Sequence, residues 1–222
     1  MANRPVYEVV LDDSFFKRHN VEFAFFSGFS ESQQRKSINS LHKAFLQTNT
    51  KSKILEISSK SEKEIGKKLS AFSLSFVTKK GLKISVESAF QASKVFERGG
   101  PYEDLLLVPS KNAKRDLRLK NSGHIISFKF NKRIFPIEPK TYFYNWLYIN
   151  ILNLHPDLSK QLLQYDAFTD ISFNPKKSIN CQAEAAAIYV SLYRQNLLKE
   201  ALSSEEAFLK IVYKNNIKKL ND

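Results

Sequence analysis

A chain of 222 residues, 42% apolar and 13% aromatic, can fill one sizeable core, which excludes global disorder and leads us to expect a single domain. Its 35 Lys and Arg against 22 Asp and Glu leave a formal charge of +13, which favours a polyanionic partner. A lone cysteine, Cys181, and the scattered His19, His42, His124 and His155 exclude an internal disulfide and show no metal-ligand spacing. No metal or cofactor is therefore expected, and with neither a secretory leader pattern nor a long apolar run the expectation is a cytoplasmic protein without membrane contact.

In chain order, the alternation in "VYEVVL" and the run "VEFAFFSGF", ending at Gly28, predict two strands. A helix is predicted over 31–47, with Ile38, Leu41, Phe45 and Leu46 at helical spacing and Ser30 as cap. "KILEISS" reads as a short strand. Ser61 with Glu64 three residues on reads as a capping box that opens another helix. Segments 72–77 and 82–86 flank Lys79, Lys80 and Gly81 as a hairpin feeding into "ISVESAFQASKVF", residues 84–96.

That stretch is predicted helical, and a helix continued to Arg98 puts Glu87, Gln91, Lys94 and Arg98 on one face. The bland account is a solvated face with a favourable Glu-to-Lys spacing; the alternative is a functional row. Gly99 and Gly100 suit the left-handed end of this helix, and Pro101 suits the first turn of the next. "PSKNAKRDLRLKNSG" is predicted as one short basic helix, "HIISFKF" as a strand, and 142–154 as an aromatic helix stopped by Pro156. A short helix to Tyr165 follows, then the loop "DAFTDISFNPKKSIN", a helix over 181–198 whose Ala183, Ala185, Ala186 and Ala187 permit close backbone approach, and a last helix over 204–217. Neither a Walker nor a dinucleotide fingerprint occurs, which argues against a nucleoside triphosphatase or a Rossmann dehydrogenase. Helices and short strands intermix without βαβ regularity, so the fold class is α+β, rich in helices.

The charge excess clusters in "KNAKRDLRLK", "FKFNKR", "NPKK" and the tail "KNNIKK". Lys111, Lys114, Arg115 and Arg118 are the candidate nucleic-acid contacts, against the reading that they serve solubility alone.

The pattern Glu87, Gln91, Lys94 after a short strand resembles the Glu-x-x-x-Gln-x-x-Lys helix of the NADAR proteins. "FFSGFS" looks like that family's aromatic, small-residue loop, "SKNAKRD" like its Ala-Lys helix, and Trp146 lies where a helix tryptophan is expected. "ILEISSKS", "LSAFSL", "FYNWLYIN" and "YDAFTDISFNPKKSINCQA" are similar to the subgroup of antitoxins paired with DarT toxins. These blocks span residues 22 to 195, and the whole chain, 1–222, is read as one NADAR-like domain with a strand-rich N-terminal extension over about 1–30. One departure is Ser88, where YbiA-like relatives usually carry histidine.

The resemblance implies an N-glycosidase that removes ADP-ribose from modified guanosine in DNA, with a DarT-type toxin as functional partner. The alternatives are cleavage of small phosphorylated riboflavin intermediates, and non-catalytic binding of ADP-ribosylated DNA. Glu87 is the candidate general acid/base or electrostatic stabiliser, and Asp170 a second carboxylate for the water or the ribose hydroxyls. Lys94 is either a charge partner for phosphate or Glu87, or an amine that attacks the anomeric carbon; Lys60 is the reserve for both tasks. Phe26, Ser27, Gly28, Gln91 and Asn180 are candidate substrate contacts, as are Ser58, Ser59 and Ser61 for a pyrophosphate. Trp146, with Phe26 and Phe29 as alternatives, is a candidate base-stacking residue, against a core role. Asn180 and Gln182 offer amides to a base or ribose edge, against a role in starting the following helix.

Overall fold

The computed structural model describes residues 1–28 and 30–214. In chain order its elements are β1 (Ala2–Val9), β2 (Phe16–Phe23), α1 (Glu31–Leu46), β3 (Ile54–Glu56), α2 (Glu64–Lys68), β4 (Ser75–Val77), β5 (Lys83–Ser85), α3 (Val86–Ala92) and β6 (Lys94–Phe96). A 3-10 turn, Glu103–Leu107, leads to α4 (Ser110–Arg115), α5 (Arg118–Asn121), β7 (Ile125–Phe130), β8 (Arg133–Phe135), α6 (Tyr142–Asn153), α7 (Pro156–Leu162), β9 (Ala167–Thr169), α8 (Gln182–Arg194), α9 (Leu198–Ala201) and α10 (Glu205–Val212). The α+β class and its helix-rich character are as the sequence predicts.

The main sheet has the order β2-β1-β9-β3. β9 pairs antiparallel with β1, Tyr7 opposite Phe168, and parallel with β3, Leu55 opposite Phe168. Alternate residues of these strands face opposite ways. Val6, Ile54 and Ala167 meet Ile38, Leu41 and Phe45 of α1 on one face. Tyr7, Leu55 and Phe168 belong to the larger core on the other face, where α8 packs on β1 and β9. The fully buried Ala183, Ala185, Ala186 and Ala187 make that close approach possible. α6 lies against α8, and α3 against α6.

A second sheet, β6-β7-β8, joins this core through packed rings: Phe143 sits 4.8 Å from both Phe128, stacked on it, and Phe135, tilted against it, centroid to centroid. Each such aromatic pair adds about 0.5–1.5 kcal/mol beyond its burial. Trp146 belongs to this cluster, 4.9 Å from Phe135 and packed also on Phe130.

Several expectations are corrected. The second strand ends at Phe23, short of Gly28. The capping box does not form: Ser61 Oγ accepts from Lys63 N, and Lys63 begins α2 with no side-chain cap. The basic helix is broken at Asp116, whose carboxylate accepts from Arg118 N and starts a new turn. The segment read as a loop after Tyr165 contains β9, the strand that joins β1 to β3. α8 stops at Arg194, and α9 follows as a separate turn. The predicted end of the last helix, 215–217, and most of the basic tail lie outside the described residues, as does Phe29.

The largest correction concerns 84–96. α3 ends at Ala92 because Lys129 N donates to Ser93 O at 2.7 Å, and Lys94 then pairs with Phe128 of β7. A sheet edge captures the chain before the helix can continue. Gly99 and Gly100 turn β6 back instead of ending a helix. At Gly100, with φ +80, a side chain would overlap the carbonyl oxygen of Lys94.

Candidate active site

The chain leaving the C-terminal ends of the parallel strands β3 and β9 lines a cleft of about 1230 Å3. Parallel strands commonly place ligands beyond their carboxyl ends, and this volume exceeds the roughly 300–1,000 Å3 of drug-sized ligand sites. Ser58 and Ser59 come from the end of β3, Asp170 and Asn180 from the segment after β9, and Glu87, Gln91 and Lys94 from α3 and β6.

Glu87, Gln91 and Lys94 do meet, though only two of them are helical. Glu87 and Gln91 lie one turn apart on α3, and Gln91 Nε2 donates to Glu87 Oε1 at 2.8 Å. Lys94 reaches from the first residue of β6, and its Nζ donates to Gln91 Oε1 at 2.7 Å. The amide therefore bridges the two charges with a fixed orientation, nitrogen toward the carboxylate and oxygen toward the ammonium. Arg98 leaves the row: its guanidinium donates to Asn121 O at 3.2 Å on the surface.

Glu87 is 5% exposed, and Lys114 Nζ from α4 stands 3.5 Å from its Oε1. The Lys94 ammonium lies 4.8 Å from the centre of the Phe90 ring. Burial brings Lys94 from its usual 10.5 down to about 8; the charge of Glu87 opposes this fall and that of Lys114 adds to it. Tyr144 from α6 also lines the cleft, and burial, with Glu87 next in weight, holds its phenol well above the usual range. It is a neutral donor at any working pH.

Asp170 accepts from Ser172 N and from Gln182 Nε2, both at 3.0 Å. Gln182 Nε2 also donates to Ile57 O at 2.6 Å, and its Oε1 accepts from Ala71 N at 2.6 Å. Both ends of the Gln182 side chain are thus engaged by protein, so this residue positions Asp170 and the two flanking segments. Burial, and then the charge of Glu56 behind it, pushes Asp170 up to about 7. Asn180 lines the same wall, and its buried Oδ1 has no hydrogen-bond partner among the described residues. Cys181, next to it, is buried.

Other predicted residues lie elsewhere. Phe26, Ser27, Gly28 and Lys60 are not among the residues lining the cleft, and neither is Trp146, which packs in the aromatic core. Phe26 N instead donates to Ser37 Oγ at 3.0 Å. Of the basic candidates only Lys114 reaches the cleft. Arg118 is held by Asp104 at 2.6 Å and Asp116 at 2.9 Å, while Lys111 and Arg115 are exposed outside it. Besides Lys114, the exposed lysines that line the cleft are Lys120, Lys140, Lys176 and Lys177, which come from three separate segments. Lys120 and the pair in "NPKK" fall within charge clusters of the sequence; Lys140 carries no such signal. Among the described residues no group of His, Cys, Asp and Glu is arranged to hold a metal ion, and no helix is long and apolar enough to cross a membrane.

An α+β domain that turns a Glu-x-x-x-Gln-x-x-Lys row into a basic cleft is a domain of the NADAR type. The family model of the DarT1-associated NADAR antitoxins matches residues 2–222, and the chain belongs to that family. Its general role is that of an antitoxin, and the family's description pairs it with DarT1. No match to a curated protein is found.

Proposed function

We propose that this antitoxin hydrolyses the N-glycosidic bond between ADP-ribose and guanine in DNA and so removes the mark left by a DarT-type toxin. The observation that carries the reading is the buried Glu87–Gln91–Lys94 row, facing a cleft large enough for a nucleotide-sized substituent. Lys120, Lys140, Lys176 and Lys177 support a nucleic-acid substrate, because none of them has an ion-pair partner among the described residues. They are therefore available to phosphates.

As the bond breaks, its electron pair moves to the guanine nitrogen while positive charge develops on the ribose ring. The Glu87 carboxylate, oriented by Gln91, stabilises that charge. Asp170, with a pKa near neutrality, gives its proton to the departing guanine nitrogen, and the carboxylate so formed receives one from the attacking water. Two routes complete the reaction. Water adds to the anomeric carbon directly, or the neutral amine of Lys94 adds first, the sugar opens to an iminium, and water then hydrolyses it. A pKa of about 8 leaves roughly a tenth of Lys94 uncharged at pH 7, which makes the second route open to it. Asn180 Oδ1 supplies an acceptor for a ribose hydroxyl or a base N–H.

The test is incubation with an oligonucleotide carrying ADP-ribosylated guanine, followed by mass analysis of both products. Release of ADP-ribose with restoration of unmodified guanine is expected. A strand that stays modified while bound to the protein would identify a binder and overturn the enzymatic reading. Faster turnover of a small phosphorylated riboflavin intermediate would overturn the substrate. Borohydride added during turnover separates the two routes, since only the iminium leaves an adduct, and the adduct's position discriminates Lys94 from Lys60.

A further inference from the structure

Glu56 is 2% exposed and does not line the cleft, yet it grips the chain on both sides of a residue that does. Its Oε2 accepts from Thr169 Oγ1 at 2.6 Å, and its Oε1 accepts from Ile171 N at 2.9 Å. Thr169 and Ile171 flank Asp170. The grip follows from topology: Glu56 and Thr169 are partners across the parallel β3–β9 ladder, where Ile57 N donates to Thr169 O at 2.8 Å. The chain of contacts continues behind Thr169, whose hydroxyl lies 2.8 Å from His42 Nε2 on α1. Because that hydroxyl gives its proton to Glu56, the histidine must donate. Burial, with Lys63 second, pushes His42 down to about 4, so it stays a neutral donor at pH 7.

We propose that Glu56 is a positioning residue for Asp170: it fixes the backbone on either side and, as an anion, keeps a proton on the carboxyl that faces the cleft. The ionisable groups around Asp170 come from four elements. They are Glu56 on β3, Lys114 on α4, Tyr144 and Tyr148 on α6, and Cys181 at the start of α8. Burial raises the two phenols and the thiol, which leaves Glu56 and Lys114 as the charged neighbours near pH 7. Glu56 itself is raised by burial, but donors to both of its oxygens oppose that rise. Asp170 also accepts on both oxygens, from Ser172 N and Gln182 Nε2, but it is the carboxyl that lines the cleft; the proposal gives the negative charge to Glu56, enclosed within the sheet, and the proton to Asp170.

The proposal rests on the glycosidase reading only for its activity arm, so the first measurement avoids activity. The side-chain carboxyl of Asp170 is titrated by carbon NMR in the parent protein, in Glu56→Gln and in Glu56→Asp. Gln keeps an acceptor for Ile171 N–H and a polar contact to Thr169 while removing the charge. A midpoint near 7 in the parent, a fall of about one unit or more in Gln, and a return toward the parent in Asp are expected. A parent midpoint below about 5, or an unchanged one in Gln, overturns the proposal, and the first of these decides against it even if Gln fails to fold. In the activity arm, the alkaline limb of kcat/KM on the modified oligonucleotide should move to lower pH in Gln by the same amount. A parent that does not hydrolyse the oligonucleotide refutes the glycosidase reading and leaves the NMR result for Glu56 standing.

Discussion

Lys94 should be a residue that the fold would be more stable without. Its ammonium is held in a place where burial lowers its pKa from 10.5 to about 8. At pH 7, below both values, the folded protein carries the whole cost of keeping that charge, and a fall of this size corresponds to about 3 kcal/mol. Lys94→Met keeps the stem beside Phe90 and removes the charge. It also leaves Gln91 Oε1 without its 2.7 Å donor, a loss of about 1 kcal/mol. The net expectation is a gain of about 1–2 kcal/mol, or a Tm higher by roughly 2–8 °C for a chain of this size. Activity on modified DNA should be lost. The sign has a further check. Between pH 8 and 10.5 the unfolded chain binds the proton that the folded one has released, so parent stability rises with pH across that window. The advantage of Met should shrink correspondingly. Urea or thermal unfolding of both proteins at pH 7 and near pH 10 measures this. A Met variant less stable than the parent at pH 7 would refute the argument, because Glu87 and Gln91 would then more than offset the burial of the charge.

Three other outcomes follow from the same geometry. Glu87→Gln should fold and bind modified DNA but lose about 10²- to 10⁴-fold in kcat, measured by ADP-ribose release; turnover within about threefold of the parent points to another carboxylate. Replacing Lys120, Lys140, Lys176 and Lys177 together by Gln should lower the salt slope of single-strand binding by up to about 3, whereas Lys111 and Arg115 changes should leave it nearly untouched. Gly66→Ala should cost more than about 3 kcal/mol or abolish soluble expression, because its new methyl would overlap Glu56 O and Ser61 Oγ, both buried and held.

The parts of this molecule legible in its sequence are those whose cause is local. α1 and α6 carry their own apolar spacing and stop signals, and the β4–β5 hairpin carries its Lys-Gly turn. The end of α3 is decided by a hydrogen bond from Lys129, more than thirty residues away, so helical spacing overruns it. β9 is three residues long and buried on both faces, without the alternation that marks a half-exposed strand. The Glu87–Gln91–Lys94 row is visible because two-thirds of it is helical spacing. Glu56 is not, since in "KILEISS" it reads as the polar face of a strand, and only pairing with β9 makes it interior. Arg118 looks available in the sequence because Asp104, which holds it, lies fourteen residues earlier.

The position of β9 also sets a timetable for biosynthesis. β1 and β3 are hydrogen-bonded not to each other but each to β9, residues 167–169, so the central sheet cannot close until those residues have been made. The antiparallel pairing of Tyr7 with Phe168 is the kind of distant contact that closes slowly. Until then the apolar side of α1 has no partner strand at Ala167, and the Asp170 wall of the cleft does not exist. A nascent chain therefore has no complete cleft until the segment after β9 has been made.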